Sequence, residues 1–524
     1  MIRTNIKIIP QVLFESAHEQ PRKIAFVFNG QEYAYDELAT RTRRMANGLA
    51  AQGIQHGDRV AILLPNHPDF AVTYYAILSL GAVVLPMNVM LRPREIGWML
   101  KDAGVKTIIT ADVLLPGVLQ TQAELPELKI IVKGKPQSGT IDLDELIARA
   151  PATPLEIRVT ENDLAMIAYT SGTMGTPKGA MLTHRNILAN IEQLARMPRF
   201  DDYPDSVNLV ALPLFHSFGL SIGLNLTLLG CGTIVLMERF DARQAVELIE
   251  KYHATEFHGA PPMFIAIANL PDIEQRNLKT LRNVSSGSAP LPVALLERLK
   301  HITGLQVFEG YGMTEASPTL ASNQAGPVSK PGSVGKPLPG IEMRIVDEQD
   351  NDVPQGESGE IVVRGENITA GYWNLPDETR AAWRNGWFHS GDIGRMDEDG
   401  YVYIVGRKKE LIIVSGFNVY PKEIEQVLQE HPAVLEAAVI GVPDGYQGES
   451  VCAVIIPKPG VATTAEEIIG YCRQNLAAFK CPRIVLFRAT LPRQTTGKVA
   501  KATLRDEIVS QLAKEENHNG IKRK

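Results

Sequence analysis

Residues 169–179 read YTSGTMGTPKG, a short stretch crowded with hydroxyl, glycine and lysine side chains. Gly172 and Gly175 permit left-handed backbone and close approach of another group. Thr170, Ser171, Thr173 and Thr176 supply hydroxyl donors around Met174, and successive loop N–H groups can form a concavity for an anion. Lys178 adds a compact point charge suited to phosphate. The chemistry these residues allow is the holding of a polyphosphate. The spacing is not that of a P-loop, which joins Gly directly to Lys, because Thr176 and Pro177 stand between Gly175 and Lys178.

A second stretch is Glu309-Gly310-Tyr311-Gly312-Met313-Thr314-Glu315. Its two glycines let the backbone approach a flat ligand, with Tyr311 available for stacking, and Glu315 is a hard oxygen ligand able to hold Mg²⁺ between phosphates. Four further segments carry reactive side chains: Gly287-Ser288-Ala289-Pro290, WFHSGD ending at Asp392, Gly406-Arg407-Lys408-Lys409-Glu410, and PRQTTGK ending at Lys498. Taken singly they are weak. An aspartate such as Asp392 usually caps a turn, Lys498 reads as an ordinary solvated lysine, and a lone His216 within LPLFHSF is more often core than ligand.

In this order the segments resemble the adenylate-forming superfamily of acyl-CoA synthetases, aryl-CoA ligases, luciferases and peptide-synthetase adenylation domains. The resemblance runs from about residue 12 to 505. It implies that Thr170 to Thr176 and Lys178 grip the pyrophosphate side of ATP. It implies that Gly287, Ser288, Ala289 and Pro290 border adenine and the acyl pocket, and that Glu309, Gly310, Tyr311, Gly312 and Met313 complete the nucleotide site. Thr314 is expected on the α-phosphate, Glu315 on Mg²⁺, Asp392 on the ribose hydroxyls with Ile404 beside the nucleotide, and Arg407 on ribose and phosphate. Lys409 is the expected hinge. Ser415, Gly416 and Phe417 are expected along the CoA tunnel. Lys498, His216, Lys178 and Thr314 form the implied catalytic set, and His216, Phe218, Ser288 and Gly310 the acyl pocket. Two residues depart from the family pattern: Met174 replaces a usual Thr, and Glu410 a usual Asp.

The implied reaction joins a carboxylic acid to CoA in two steps, through an acyl-adenylate with release of pyrophosphate, then a thioester with release of AMP. ATP, Mg²⁺ and CoA are the implied cofactors and co-substrates. Malonate-activating relatives place an arginine directly before the tyrosine of YGMTE, where this chain has Gly310. A medium- or long-chain fatty acid is therefore the expected substrate, as in bacterial fatty-acyl-CoA ligases, with aryl acids of the coumarate or benzoate type, or loading of a carrier protein, as alternatives.

The elements that must position these residues follow from the rest of the chain. At 524 residues it exceeds one ordinary core, so two or more domains are expected. Its 44% hydrophobic and 21% charged content is that of a soluble globular enzyme. A formal net charge of −6 argues against a nucleic-acid partner. The partners are small molecules; a lipid substrate leaves peripheral membrane contact open, and a homodimer is allowed. Four scattered cysteines without a CxxC pair suggest neither zinc nor disulfides, and the cytoplasm is the expected compartment. The apolar run 215–237 is interrupted by His216, Asn225 and four glycines, and reads as buried helix plus strand rather than a membrane span.

Strand-like 59–64, helix-like 68–80, strand-like 83–86, helix-like 93–103 and strand-like 106–110 follow one another, with Pro68 and Gly81 as start and stop signals. Such alternation predicts βαβ units and an α/β fold of helix-covered, mostly parallel sheets. Beyond about residue 330 short β-rich segments dominate, and after 408 mixed α and β returns. The expected organisation is an N-terminal AMP-binding body, 1–408, with a β subdomain over about 330–408. A small mobile α+β domain, 409–524, then carries Lys498.

Overall fold

The computed structural model describes residues 6–155, 158–170, 177–197, 205–289, 291–304, 306–414, 417–444, 448–493 and 498–519. The chain forms two compact units, Met1–Met343 with Val363–Phe388, and Arg344–Val362 with His389–Lys524.

The first unit is built on two helix-covered sheets. One has the spatial order Ile141–Asp142, Lys129–Lys133, Thr107–Ala111, Arg59–Leu63, Val83–Pro86, Leu164–Thr170, Lys178–Thr183. Its interior pairs are parallel, with Val60 beside Val84 on one side and Thr107 on the other. Near-continuous apolar runs such as RVAIL suit strands buried on both faces. The helix Pro68–Ser79 has proline in its first turn and the His67 imidazole accepting the Asp69 N–H, and is buried on every side. The last pair is an antiparallel hairpin that puts Thr170 opposite Lys178. Lys178–Thr183 is a strand the sequence pattern does not predict.

The second sheet runs Lys336–Pro337, Thr319–Ser322, Val307–Gly312, Asn283–Ser286, Glu256–Gly259, Val207–Val210, Thr233–Leu236, Ile24–Phe28, Gln31–Ala34. Its central strands are parallel, with His258 opposite Ser285 and Ser285 opposite Phe308. Side chains alternate across a strand. Phe257, Val284 and Val307 therefore share one face, which is packed with Ile249, Phe264 and Leu299. Burying each of these large side chains contributes about 1.5–3 kcal/mol. Asn208, Val210, His258 and Ser285 share the other face. The Gly219–Leu226 turn lies against it: a Cβ at Gly223 would come within 2.9 Å of Val210, and the Asn208 amide donates to the Thr227 hydroxyl at 2.9 Å. The apolar run 215–237 is thus divided among this π-helical turn, Thr227–Leu229 and the strand Thr233–Leu236. No helix among the described residues is long and apolar enough to cross a membrane.

The second unit holds a sheet ordered Phe417–Val419, Ile412–Val414, Gly448–Pro457, Val434–Asp444, with Ile484–Phe487 also on Gly448–Pro457. Alternation along Val434–Asp444 feeds two cores. Ala437 and Val439 pack with Ile424, Leu428, Ile468 and Cys472, while Ala438, Ile440 and Val442 pack with Leu504 and Ile508. Thr464 starts the helix Ala465–Asn475 with a reciprocal capping box to Glu467, a device worth about 1 kcal/mol. All four cysteines are buried thiols without disulfides.

Candidate functional site

In the first unit, the hairpin Leu164–Thr170/Lys178–Thr183 fixes both ends of the first motif. The Thr170 hydroxyl donates to the Lys178 carbonyl at 3.3 Å. Ser171, Gly172, Thr173, Met174, Gly175 and Thr176, expected at the phosphates, lie outside the described residues. The Lys178 ammonium pairs with Glu378 and stands 5.1 Å from the Tyr372 ring centre. A side chain at Gly179 would strike Ile167 at 2.7 Å, so glycine lets the hairpin close here.

The second motif is the end of a strand rather than a free turn. Val307–Gly312 pairs antiparallel with Thr319–Ser322, placing Tyr311 opposite Ala321. A Cβ at Gly312 would sit 2.0 Å from the Pro318 carbonyl oxygen; at Gly310 it would lie 3.3 Å from that of Ala321. Gly312 is therefore dictated by backbone, and Gly310 leaves space. Met313 precedes a single 3₁₀ turn, Thr314–Ala316, that buries Glu315. The Tyr372 hydroxyl donates to Glu315 Oε1 at 3.0 Å. Burial, then the Glu315 charge, raises the Tyr372 phenol far above its ordinary value, so it acts as a donor. A buried, oriented carboxylate fits Mg²⁺, which takes one or two carboxylates plus phosphate oxygens.

Gly287 follows the strand Asn283–Ser286, and a Cβ there would meet the Phe218 ring at 3.0 Å. Ser288 is exposed and held at φ +72°, an uncommon conformation for a residue with a side chain. Ala289 is exposed beside it, and Pro290 lies outside the described residues. Buried Glu309 accepts the Leu291 N–H at 3.0 Å and so braces this segment.

His216 is positioned by a residue the sequence reading passed over. The buried Asn66 side chain donates to the carbonyls of Leu212 and Met237, both at 3.0 Å, and accepts the Leu214 N–H at 2.8 Å. The His216 Nδ1 accepts the Phe218 N–H at 3.2 Å, which assigns the proton of the neutral ring to Nε2. Gly219 lets the turn begin, since a Cβ would lie 2.3 Å from the Pro213 carbonyl oxygen. A further polar chain sits on the sheet face shared with Phe308. The His258 ring touches Ser285 Oγ at 2.7 Å through Nδ1 and Glu256 Oε2 at 3.1 Å through Nε2. The Ser206 hydroxyl donates to Glu256 Oε1 at 2.5 Å.

The second unit gathers another set. Asp392 lies within a strand, directly opposite Arg407, and the Arg407 Nε stands 3.3 Å from Asp392 Oδ1. The Ser390 hydroxyl accepts the Asp392 N–H at 3.0 Å. Ile404 is half-buried two residues before Gly406, and its carbonyl accepts from the Lys422 ammonium at 2.7 Å. Lys409 is exposed in the 3₁₀ turn Lys408–Glu410. Burial, then the Arg407 charge, lowers the Lys498 pKa, against the opposing pull of Asp392 and Glu410. Lys501, a residue not expected from sequence, pairs with Glu410 and Glu425, each at 2.9 Å. Ser415 and Gly416 lie outside the described residues, and Phe417 opens the strand Phe417–Val419.

Lys178, Tyr372, Glu315 and Glu378 are thus brought together in one unit, and Asp392, Arg407 and Lys498 in the other. Tyr372, Glu378 and Asn66 carry no local pattern that marks them. Only their distant partners give them meaning.

Residues 13–373 match the model of the AMP-binding enzyme family, and residues 423–498 that of the AMP-binding enzyme C-terminal domain. The chain is 35% identical to a long-chain-fatty-acid–CoA ligase of Bacillus subtilis, an alignment covering 96% of this chain and 94% of that protein. It is 38% identical to a feruloyl-CoA synthase of Amycolatopsis, covering 93% and 96%. Among solved structures, ATP-bound MatB from Rhodopseudomonas palustris superposes with a TM-score of 0.90 at 36% identity, covering 96% of this chain and 99% of that one. The chain belongs to the AMP-binding enzyme family. It is an acid–thiol ligase of that family, with the large α/β body and small α+β C-terminal part expected from sequence.

Proposed function

We propose that this enzyme uses ATP to join a medium- or long-chain fatty acid to CoA, through an acyl-adenylate formed with release of pyrophosphate, then a thioester formed with release of AMP. The observation that supports it best is the meeting of Lys178 and Glu315, from motifs far apart in sequence, on the single side chain of Tyr372. A cation and a hard-oxygen carboxylate side by side suit the two ends of a polyphosphate.

The acid's carboxylate must approach the α-phosphate of ATP, and the two anions repel. Lys178 offsets the charge of the departing pyrophosphate, and Mg²⁺ on Glu315 supplies further charge neutralisation when bound. Lys498 bridges the carboxylate and the α-phosphate, where one well-placed donor is worth about 3–4 kcal/mol. Asp392 holds the ribose, its charged oxygens making bonds roughly twice as strong as neutral ones. His216 orients the acid with its Nε2–H. A pivot at Lys409 then withdraws Lys498, and the segment from Ser415 to Phe417 lines the path of CoA. The setting is the cytoplasm, with all three substrates as free small molecules.

A second reading, an aryl acid, has its own support. The Ser285–His258–Glu256 chain gives the sheet face beside Gly310 a polar patch that a hydroxylated ring could use, whereas an alkyl chain could not. Pyrophosphate release measured from acetate to stearate and over cinnamic acids, with and without CoA, tests both. Preference for long alkyl acids supports the main reading, preference for ring hydroxyls supports the second, and full turnover without CoA sinks the CoA assignment.

A further inference from the structure

We propose that Tyr372 is a positioning residue for adenylation, tying the Glu315 carboxylate to the Lys178 ammonium before the nucleotide arrives. The inference rests on the proposed roles of Lys178 at phosphate and Glu315 at the metal ion.

The side chain of Tyr372 has nothing to do with either motif in sequence, yet it is the element they share. Its hydroxyl donates to Glu315 Oε1 at 3.0 Å, and its ring centre lies 5.1 Å from Lys178 Nζ. The segment carrying it is pinned as an added strand along Lys178–Thr183. The Met181 N–H donates to the Gly371 carbonyl at 2.9 Å, the Trp373 N–H donates to that of Gly179 at 2.8 Å, and Ala180 stands opposite Tyr372. Lys178 is then the diagonal cross-strand neighbour of Tyr372, within reach of an aromatic ring. Thr379 Oγ1 accepts the Tyr372 N–H at 2.9 Å, and Gly371, at φ +137°, makes room for the Thr379 side chain.

Each contact fixes something the reaction needs. A donor on one carboxylate oxygen sets the torsion of Glu315, the way hydrogen-bonded supports orient metal ligands. A ring under an ammonium attracts it and limits its wandering. Lys178 also meets Glu378 on the helix Pro376–Ala382, so a second anion holds it until phosphate displaces that contact.

The test is ATP binding to the full chain, by calorimetry, in EDTA and in saturating Mg²⁺. Tyr372→Phe keeps the ring and deletes the donor. We expect it to keep its affinity in EDTA and lose roughly tenfold of the Mg²⁺-dependent gain, the scale of losing a ligand-orienting hydrogen bond. Tyr372→Leu should weaken binding in EDTA as well, about three- to tenfold, since the ring contact to Lys178 goes too. In the double variant with Glu315→Gln, the Phe change should add nothing further, because the hydroxyl acts through Glu315. Equal losses in EDTA and Mg²⁺ for Tyr372→Phe, no loss in either, or an additive double variant overturns the proposal. A parent enzyme that binds no ATP in either condition instead overturns the functional reading beneath it.

Discussion

Gly310→Ala probes where the acid lies. A Cβ at this position would come 3.3 Å from the Ala321 carbonyl oxygen and meet nothing else within 4 Å among the described residues. The neighbour need give only a few tenths of an ångström, and replacing Gly by Ala lowers unfolded-chain entropy by about 0.4–1 kcal/mol. Stability should therefore stay within about 1 kcal/mol of the parent. The new methyl emerges on the face of Ser285 and Phe308. If the acyl chain passes there, a misplaced methylene-sized group costs about 1–3 kcal/mol, or roughly 10–200-fold in kcat/KM, for long acids, and spares acetate. Gly312→Ala is the contrast: its Cβ would overlap the Pro318 carbonyl oxygen at 2.0 Å and force the backbone apart, so it should unfold or precipitate. The assay is pyrophosphate release over the acid series beside a urea unfolding curve. A Gly310→Ala enzyme that loses activity equally on short and long acids, or on none, refutes the placement of the acid.

Three further outcomes are expected. Asn66→Ala removes the partner of two buried carbonyls and one N–H, so it should lose about 2 kcal/mol or more in urea unfolding and lower kcat through the loosened His216 segment. Burial holds the His184 imidazole down at about 4, against an ordinary 6.5. The folded protein stays neutral there while the unfolded chain takes up a proton, so stability is full above about pH 6.5. It falls as the pH drops towards 4, by up to about 3 kcal/mol, and His184→Gln should flatten that slope in unfolding measured across the range. Lys501→Met leaves Glu410 and Glu425 facing each other without their shared cation, and should lower the melting temperature of the C-terminal part with a loss of about 1–3 kcal/mol.

The fold was legible wherever the local pattern and the tertiary environment agree. The strands Arg59–Leu63, Val83–Pro86 and Thr107–Ala111 and the helices Pro68–Ser79 and Pro93–Asp102 stand where periodicity and the prolines put them. Lys178–Thr183 escaped because KGAMLT alternates weakly; its strand exists because Leu164–Thr170 and the Tyr372 segment pair with it on either side. Asp392 likewise looks like a turn residue in sequence, yet it lies in a strand because Arg407 stands across from it. The motifs named the nucleotide chemistry, since glycine and hydroxyl spacing is a local property. Asn66, Tyr372 and the Ser285–His258–Glu256 chain were silent because each is defined by partners that only the tertiary fold supplies.

Lys498 carries this furthest. A lysine following Gly and Thr near a charged terminus has every local reason to be solvated, and residue type alone assigns it no task. Burial and the neighbouring Arg407 make its charge costly, while Asp392 and Glu410 make it bearable. A cation held so, between opposed influences, sheds less hydration than a surface lysine when a new anion arrives, because part of it has already been given up. In the proposed adenylation its field would then act on the incoming charge with less solvent screening than a surface lysine would suffer. The same Arg407 and Asp392 that the ribose would engage therefore also set the electrostatic state of Lys498. On the proposed reading, nucleotide binding and the activation of that lysine are one local problem in this unit.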